Sequence, residues 1–285
     1  MKIGLNLLFL GATIGLEHLK TFERVREIGY DGVEVSILDG TVPHYRALGR
    51  CLSDLGLEAT FGAIATPEAS PISSDPGVRA RALERLRWSI DCGHALGGTV
   101  MIGPYHSPLG LFTGAGPTED EISRCAEVLH QAADYGDSAG IKLSIEAVNR
   151  FECYMLNTMP QGSDLRRRVA HRNFSYMYDT FHANIEEENP IEAYSRFSSE
   201  ITYIHISENT RGIPGRGNIR WRETFAAIRG AGYDDWLTVE AFGRSVPELA
   251  AATRVWRDLF PDVETLLVES HDFIRRQWDA ASPAT

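Results

Sequence analysis

Four residues in the second half of the chain can ligate a hard cation, and each stands at or near the end of a short apolar run. The run ends read Ser144-Ile145-Glu146, Met177-Tyr178-Asp179, Ile204-His205-Ile206 and Thr238-Val239-Glu240. Glu146, Asp179, His205 and Glu240 are separated by 33, 26 and 35 residues (179−146, 205−179, 240−205), about one strand–helix unit each. Taken singly, an acidic residue at a strand end is usually solvated or ion-paired, and a lone histidine in a strand is usually a satisfied core residue. Four of them in register at successive strand ends can instead share one ion. Three carboxylates and one imidazole form a mostly hard donor set, suited to Mn2+ or Mg2+, with Co2+ compatible and thiolate-preferring ions disfavoured. Three carboxylates crowded together at low dielectric repel strongly without a cation.

Further polar residues flank these four. Glu152 follows Glu146 in Asn149-Arg150-Phe151-Glu152, and His182 lies three residues beyond Asp179. Arg211 lies six residues after His205, in the loop Ser-Glu-Asn-Thr-Arg-Gly-Ile-Pro-Gly-Arg-Gly at 207–217. That loop lacks the GxxxxGK[ST] pattern, so its glycines indicate turns rather than a phosphate cradle. On composition alone, Glu152 and Arg211 fit an ordinary surface ion pair equally well.

Chemistry at strand ends requires a scaffold that brings those ends together. Eight apolar runs of strand length occur, at 3–9, 32–37, 57–63, 99–102, 142–145, 174–178, 201–206 and 236–239. Helical periodicity fills the intervals. Residues 16–28 carry Leu19, Phe22, Val25 and Ile28 on one face and stop at Gly29. Residues 78–96 place Leu83, Leu86 and Ile90 together, and 219–231 and 246–256 supply two more helices. Another opens after Pro117, with Thr118 and Glu121 in capping-box spacing. Strict strand–helix alternation implies a parallel sheet, and eight such units imply an α/β fold closed as a (β/α)8 TIM barrel. The loops at 64–76 and 103–117, rich in Pro, Gly, Ser and Ala, follow strands, where such a barrel places its functional loops. Residues 1–279 are expected to form one domain and 280–285 a flexible tail.

The bulk composition narrows the function. The chain has 285 residues, 43% of them hydrophobic and 24% charged, the profile of an ordinary globular protein. With 39 acidic and 28 basic residues the net charge is -11, which argues against a nucleic-acid partner. Cys51, Cys92, Cys125 and Cys153 are scattered without a CxxC, which fits isolated thiols in a reducing compartment. The start, Met1-Lys2-Ile3-Gly4-Leu5-Asn6, reads as a strand, and no run approaches 18 apolar residues. A cytoplasmic protein without a membrane partner is the expectation.

The segments Ile145-Glu146-Ala147-Val148-Asn149-Arg150-Phe151-Glu152, Asp179-Thr180-Phe181-His182, His205-Ile206-Ser207-Glu208-Asn209 with Arg211-Gly212, and Val239-Glu240 resemble the ketose 3-epimerases. These are the D-tagatose, D-allulose (psicose) and L-ribulose 3-epimerases, within the xylose-isomerase-like barrels. Gly29-Tyr30-Asp31-Gly32-Val33-Glu34 resembles the wider group, with less specificity. The resemblance implies that Glu146, Asp179, His205 and Glu240 hold one divalent ion, with Mn2+ foremost. It implies that Glu146 and Glu240 are also the acid/base pair, and that Glu152, His182 and Arg211 contact a free ketose at its O1–O3 end. It further suggests a homodimer or homotetramer. Leu7 stands where some members carry an aromatic residue, and His106 and Phe112 lie in a variable loop, so the preferred sugar is left open. The implied reaction removes the C3 proton, made acidic by the neighbouring carbonyl and a Lewis-acid cation, and returns one on the opposite face.

Three other readings compete. An aldose–ketose or hydroxypyruvate isomerase on the same barrel moves the proton between C1 and C2. An endonuclease-IV-like nuclease normally uses several zinc ions and more histidines. A non-catalytic sugar-binding protein has no need of opposed carboxylates.

Overall fold

Each of the eight apolar runs forms a strand in the computed structural model, which describes residues 1–244 and 246–281. The strands are β1 (Lys2–Asn6), β2 (Gly32–Ser36), β3 (Glu58–Gly62), β4 (Gly98–Gly103), β5 (Lys142–Glu146), β6 (Phe174–Asp179), β7 (Ile201–Ile206) and β8 (Trp236–Val239). All neighbours pair in parallel in sequence order, and β8 pairs with β1 to close the barrel. The first strand is shorter than the expected 3–9. Asn6 Oδ1 accepts from the Leu8 backbone N–H at 2.8 Å, and Leu10 N–H donates to Leu7 O at 2.9 Å, which turns the chain out of the sheet.

The helices are α1 (Leu19–Ile28), α2 (Val42–Asp54), α3 (Pro76–Leu96), α4 (Glu119–Ala139), α5 (Met159–Val169), α6 (Thr180–Glu186), α7 (Pro190–Phe197), α8 (Trp221–Gly230), α9 (Pro247–Thr253) and α10 (Val263–Ala280). Gly29 ends α1 with φ 113°, in the left-handed conformation its lack of a Cβ permits. The capping box before α4 is formed: Glu121 N–H donates to Thr118 Oγ1, and Thr118 N–H donates to Glu121 Oε2. The helix expected at 246–256 stops at Thr253, where Arg254 adopts φ 57°. Ala280, assigned to the tail by sequence, is the last residue of α10, and residues 282–285 lie outside those described. No helix among the described residues is long and apolar enough to cross a membrane.

Strand residues alternate between two cores. The larger lies between barrel and helices and includes Val33, Val35, Phe61, Ile145, Tyr176, Tyr178 and Ile204. A smaller one, Val100, Ile102, Met177, Tyr203 and Trp236, is separate from it and plugs the barrel interior. Its indole needs space, and Gly4 and Gly32 provide it. A Cβ on Gly32 would stand 2.7 Å from the Trp236 ring and 2.4 Å from Glu58 O. The inward parity that buries Met177 and Tyr203 also directs Asp179 and His205, two residues on, to the mouth of the barrel.

Candidate active site

The four ligating side chains meet. Glu146 and Asp179 are the last residues of β5 and β6, His205 is the penultimate residue of β7, and Glu240 follows β8. All four are buried, and one ligand atom from each lies within 4.8 Å of the others. The register pairs Asp179 with His205 and His205 with Thr238. Asp179 divides its carboxylate between two tasks. Oδ1 accepts from His182 N–H at 2.9 Å and caps α6, while Oδ2 faces His205 Nδ1 at 3.4 Å. His205 Nδ1 also stands 3.5 Å from Glu240 Oε1 and 3.8 Å from Glu146 Oε1.

Asp179 Oδ2 and His205 Nδ1 are buried without a hydrogen-bond partner. Two orphaned polar atoms facing each other amid carboxylates are costly in a pure protein site, and they are what a cation takes as ligands. The donor set therefore fits a divalent metal. The electrostatics agree. Burial pushes the Glu146 carboxyl well above the usual range, and neighbouring Glu240 adds to the shift. Burial pushes Glu240 up to about 7, against the pull of Arg211 and His205. Burial alone would lower the imidazole of His205, but the carboxylates of Glu34 and Glu240 raise it well above its ordinary value. Buried carboxyls raised in this way by crowding are groups that a bound cation would return to the ionised form.

The flanking residues assemble around this cluster. His182 lies in the first turn of α6 and is buried; burial depresses its pKa to about 4, which leaves the ring neutral at pH 7. Asn149 N–H donates to its Nδ1 at 3.0 Å, and Nε2 lies 3.6 Å from Glu146 Oε1. Glu152 is half-buried and accepts from Asn149 Nδ2 at 2.8 Å. Arg211 is buried in a left-handed conformation, φ 62°. Its guanidinium lies 3.8 Å from the centre of the Phe181 ring and 4.8 Å from that of Phe242. From there Nη1 reaches Glu240 Oε2, and donates to Ser207 Oγ at 3.0 Å. Arg211 thus pairs with Glu240, and its Nη1 also lies 3.6 Å from Asp179 Oδ2, rather than with Glu152 as one sequence alternative had it.

Around the site stand other residues to which the sequence assigned no ligand, acid/base or sugar-contact role. Glu34 accepts from Asn6 Nδ2, the Tyr203 hydroxyl and His205 Nε2. Glu208 is fully buried and accepts from Asn209 N–H at 2.9 Å, Gly215 N–H at 2.8 Å and Trp221 Nε1 at 2.8 Å, which moulds the loop carrying Arg211. His106 is fully buried, with Nε2 3.1 Å from the backbone oxygen of Glu146 and Nδ1 3.0 Å from Ser107 Oγ. Leu7 is packed in the outer core, and Leu8 takes the place at the cavity; Phe112 is 52% exposed. Motif spacing reveals none of these partnerships, because each joins residues that only the closed barrel brings together.

A cavity of about 250 Å3 opens over the cluster. Its lining includes Glu146, Glu152, His182, Arg211 and Glu240 with the apolar Val148, Phe181, Phe242 and Ala252 near them in sequence, and Leu8, Ser36, Leu38, Ile64, Pro104 and Leu109 from the first half of the chain. Every charged lining residue lies at or after the end of one of β5–β8, whereas the lining from β1–β4 is apolar but for Ser36.

Comparison with known proteins agrees with this geometry. The family described as xylose isomerase-like TIM barrel matches residues 22–277. An L-ribulose 3-epimerase from Mesorhizobium japonicum is 34% identical over 277 residues, covering 96% of this chain and 93% of the relative. A D-psicose 3-epimerase from Ruminiclostridium cellulolyticum is 30% identical over 249 residues, covering 83% and 82%. A solved structure of L-ribulose 3-epimerase superposes with a TM-score of 0.93 at 32% identity, covering 98% of this chain and 95% of the other.

Proposed function

Because the chain belongs to the xylose isomerase-like TIM barrel family, and within it to the ketose 3-epimerases, we propose that it epimerises free ketoses at C3 with a divalent metal. The observation that carries the metal reading is the convergence of four buried ligating side chains, two of them with orphaned atoms. Glu146, Asp179, His205 and Glu240 would hold the ion, with Mn2+ the preferred metal and Co2+ or Mg2+ able to substitute. When bound, the cation supplies Lewis-acid polarisation of the sugar's C2 carbonyl, which acidifies the C3 proton.

The chain's own groups do the rest. Glu146 and Glu240 project from β5 and the end of β8, non-adjacent strands, so they can address opposite faces of a planar enediolate carbon. One takes the C3 proton and the other returns a proton to the far face; the roles exchange in the reverse direction. Burial suits both for this, since a carboxyl raised toward neutrality is a better-matched acid and base than one near 4. Arg211 and His182 would fix the oxygens on C1 and C2, with Glu152 holding O1 and O2. The two phenyl rings against Arg211 hold its guanidinium in place before substrate arrives. Leu38, Ile64, Leu109 and Phe242 line the same cavity and keep bulk water from the reacting carbon.

An unphosphorylated sugar is favoured because three carboxylates face the cavity against a single guanidinium. The pairs D-allulose/D-fructose, D-tagatose/D-sorbose and L-ribulose/L-xylulose are the substrates to try, supported by relatives named for L-ribulose and D-psicose. A homodimer or homotetramer in the cytoplasm completes the reading. Incubation with Mn2+ and a ketose panel in deuterated water, followed by sugar chromatography, tests it. Deuterium at C3 of a C3 epimer is expected. Exchange at C1 with aldose formation would move the assignment to an aldose–ketose isomerase. Chelation should abolish turnover, and Mn2+ or Co2+ should restore it.

A further inference from the structure

Glu34 lies on β2 beneath the four-residue cluster and is 1% exposed, out of reach of any sugar. Its two oxygens receive three hydrogen bonds. Oε1 accepts from Asn6 Nδ2 at 2.6 Å, and Oε2 accepts from the Tyr203 hydroxyl and from His205 Nε2, both at 2.9 Å. The direction of the first two is fixed from outside. Asn6 Oδ1 is occupied by Leu8 N–H, which leaves its amide nitrogen for Glu34. The Tyr203 oxygen lies 2.7 Å from both Thr60 Oγ1 and Thr238 Oγ1, so it can accept from those hydroxyls while giving its one proton to Glu34. A carboxylate that accepts from these groups offers the third partner an acceptor too, so the hydrogen between Glu34 and His205 sits on Nε2.

The other ring nitrogen is the one turned toward Asp179, Glu240 and Glu146, and it has no hydrogen-bond partner. A neutral imidazole with its hydrogen on Nδ1 would donate it to those carboxylates and would have no lone pair on that nitrogen for a cation. We propose that Glu34 is a positioning residue that prevents this: it holds His205 with the proton on Nε2 and so makes Nδ1 the nitrogen that ligates the metal. The inference rests on the metal reading given above. Asn6 extends the same control to a second proposed ligand, since its Nδ2 also lies 3.5 Å from Glu240 Oε1. The edge-to-face packing of Tyr203 against His205, at 5.7 Å between ring centres, limits rotation of the imidazole.

The test is calorimetric titration of Mn2+ into chelator-stripped wild type, Glu34→Gln and Tyr203→Phe, with circular dichroism to verify the fold. An orienting partner of a ligating histidine is worth about 10- to 100-fold in metal affinity. Glu34→Gln is expected to bind Mn2+ weaker by that factor, and Tyr203→Phe, which removes one of three bonds to Glu34, by less. Equal affinity in folded Glu34→Gln and wild type overturns the proposal. A second measurement needs no variant: nitrogen-15 NMR of histidine-labelled, Mg2+-loaded wild type should place the His205 proton on Nε2. A proton on Nδ1 overturns the proposal while leaving the metal site standing. A folded wild type that takes up no divalent ion removes the metal reading itself, and this inference with it.

Discussion

The division of labour within the Asp179 carboxylate, one oxygen capping a helix and the other facing the ligand cluster, makes this residue the sharpest test of the site. Asp179→Ala should lose Mn2+ and activity together, as measured by metal content after dialysis and by turnover. Arg211→Ala should keep metal content near wild type, since Glu240 Oε1, the oxygen facing His205, is not the one Arg211 holds. Its loss should appear in KM or kcat as roughly 10- to 150-fold, the cost of a charged hydrogen bond in a desolvated site, about 1.5–3 kcal/mol. Glu152→Gln should behave the same way. If both variants were fully active on every ketose tried, the substrate end of the site would have to be sought elsewhere. Glu146→Gln and Glu240→Gln are expected to keep the fold and lose at least about 10²–10⁴-fold in turnover, because an amide cannot exchange a proton in either role. Near-normal rates in either variant would remove that glutamate from the proton path.

Among the elements, the loop at 207–217 depends on one buried side chain. Glu208 gathers N–H donors from Asn209, Gly215 and Trp221. Glu208→Ala leaves these donors without that acceptor, at an expected total cost of roughly 3 kcal/mol. Denaturant unfolding should show the loss, with kcat/KM falling because Arg211 rides on the same loop; an unchanged midpoint would mean the loop is held by other contacts. In the sequence, Glu208 is one more acidic residue after a strand, and Glu34 belongs to a weakly specific segment. Periodicity finds strands and exposes the four candidate ligands at their ends, since inward parity is a local property of a strand. It cannot find a carboxylate whose partners are Asn6, 28 residues away, and Tyr203, 169 residues away. The same limit accounts for Leu7: a turn set by the Asn6 side chain ends β1 early and puts Leu8 at the cavity. Helices α6 and α7, of 7 and 8 residues, are too short to display a helical period and were legible only as intervals between strands.

For the molecule as a whole, metal binding as proposed would be linked to folding. The candidate ligands come from the ends of four strands, so an ion there would be held only when the second half of the barrel is assembled. At a free Mn2+ concentration 100 times its dissociation constant the folded state gains about 2.7 kcal/mol. For a chain of this size that corresponds to a rise in Tm of about 4–5 °C. Calorimetry with and without Mn2+ checks this, with Asp179→Ala as the comparison; the same rise in that variant would point to binding elsewhere. The cavity's lining has a further consequence. On the proposed reaction, proton transfer and the ion's ligands are encoded at the ends of β5–β8, whereas the apolar Leu8, Leu38, Ile64, Pro104 and Leu109 are encoded after β1–β4. Drift at Leu8, Leu38, Ile64 or Leu109 can therefore reshape what fits without altering the groups that react. On that reaction, the cavity wall could then be varied at these four positions while Asn6, Glu34 and the candidate ligands stay fixed, a route to other sugars that need not pass through an inactive protein.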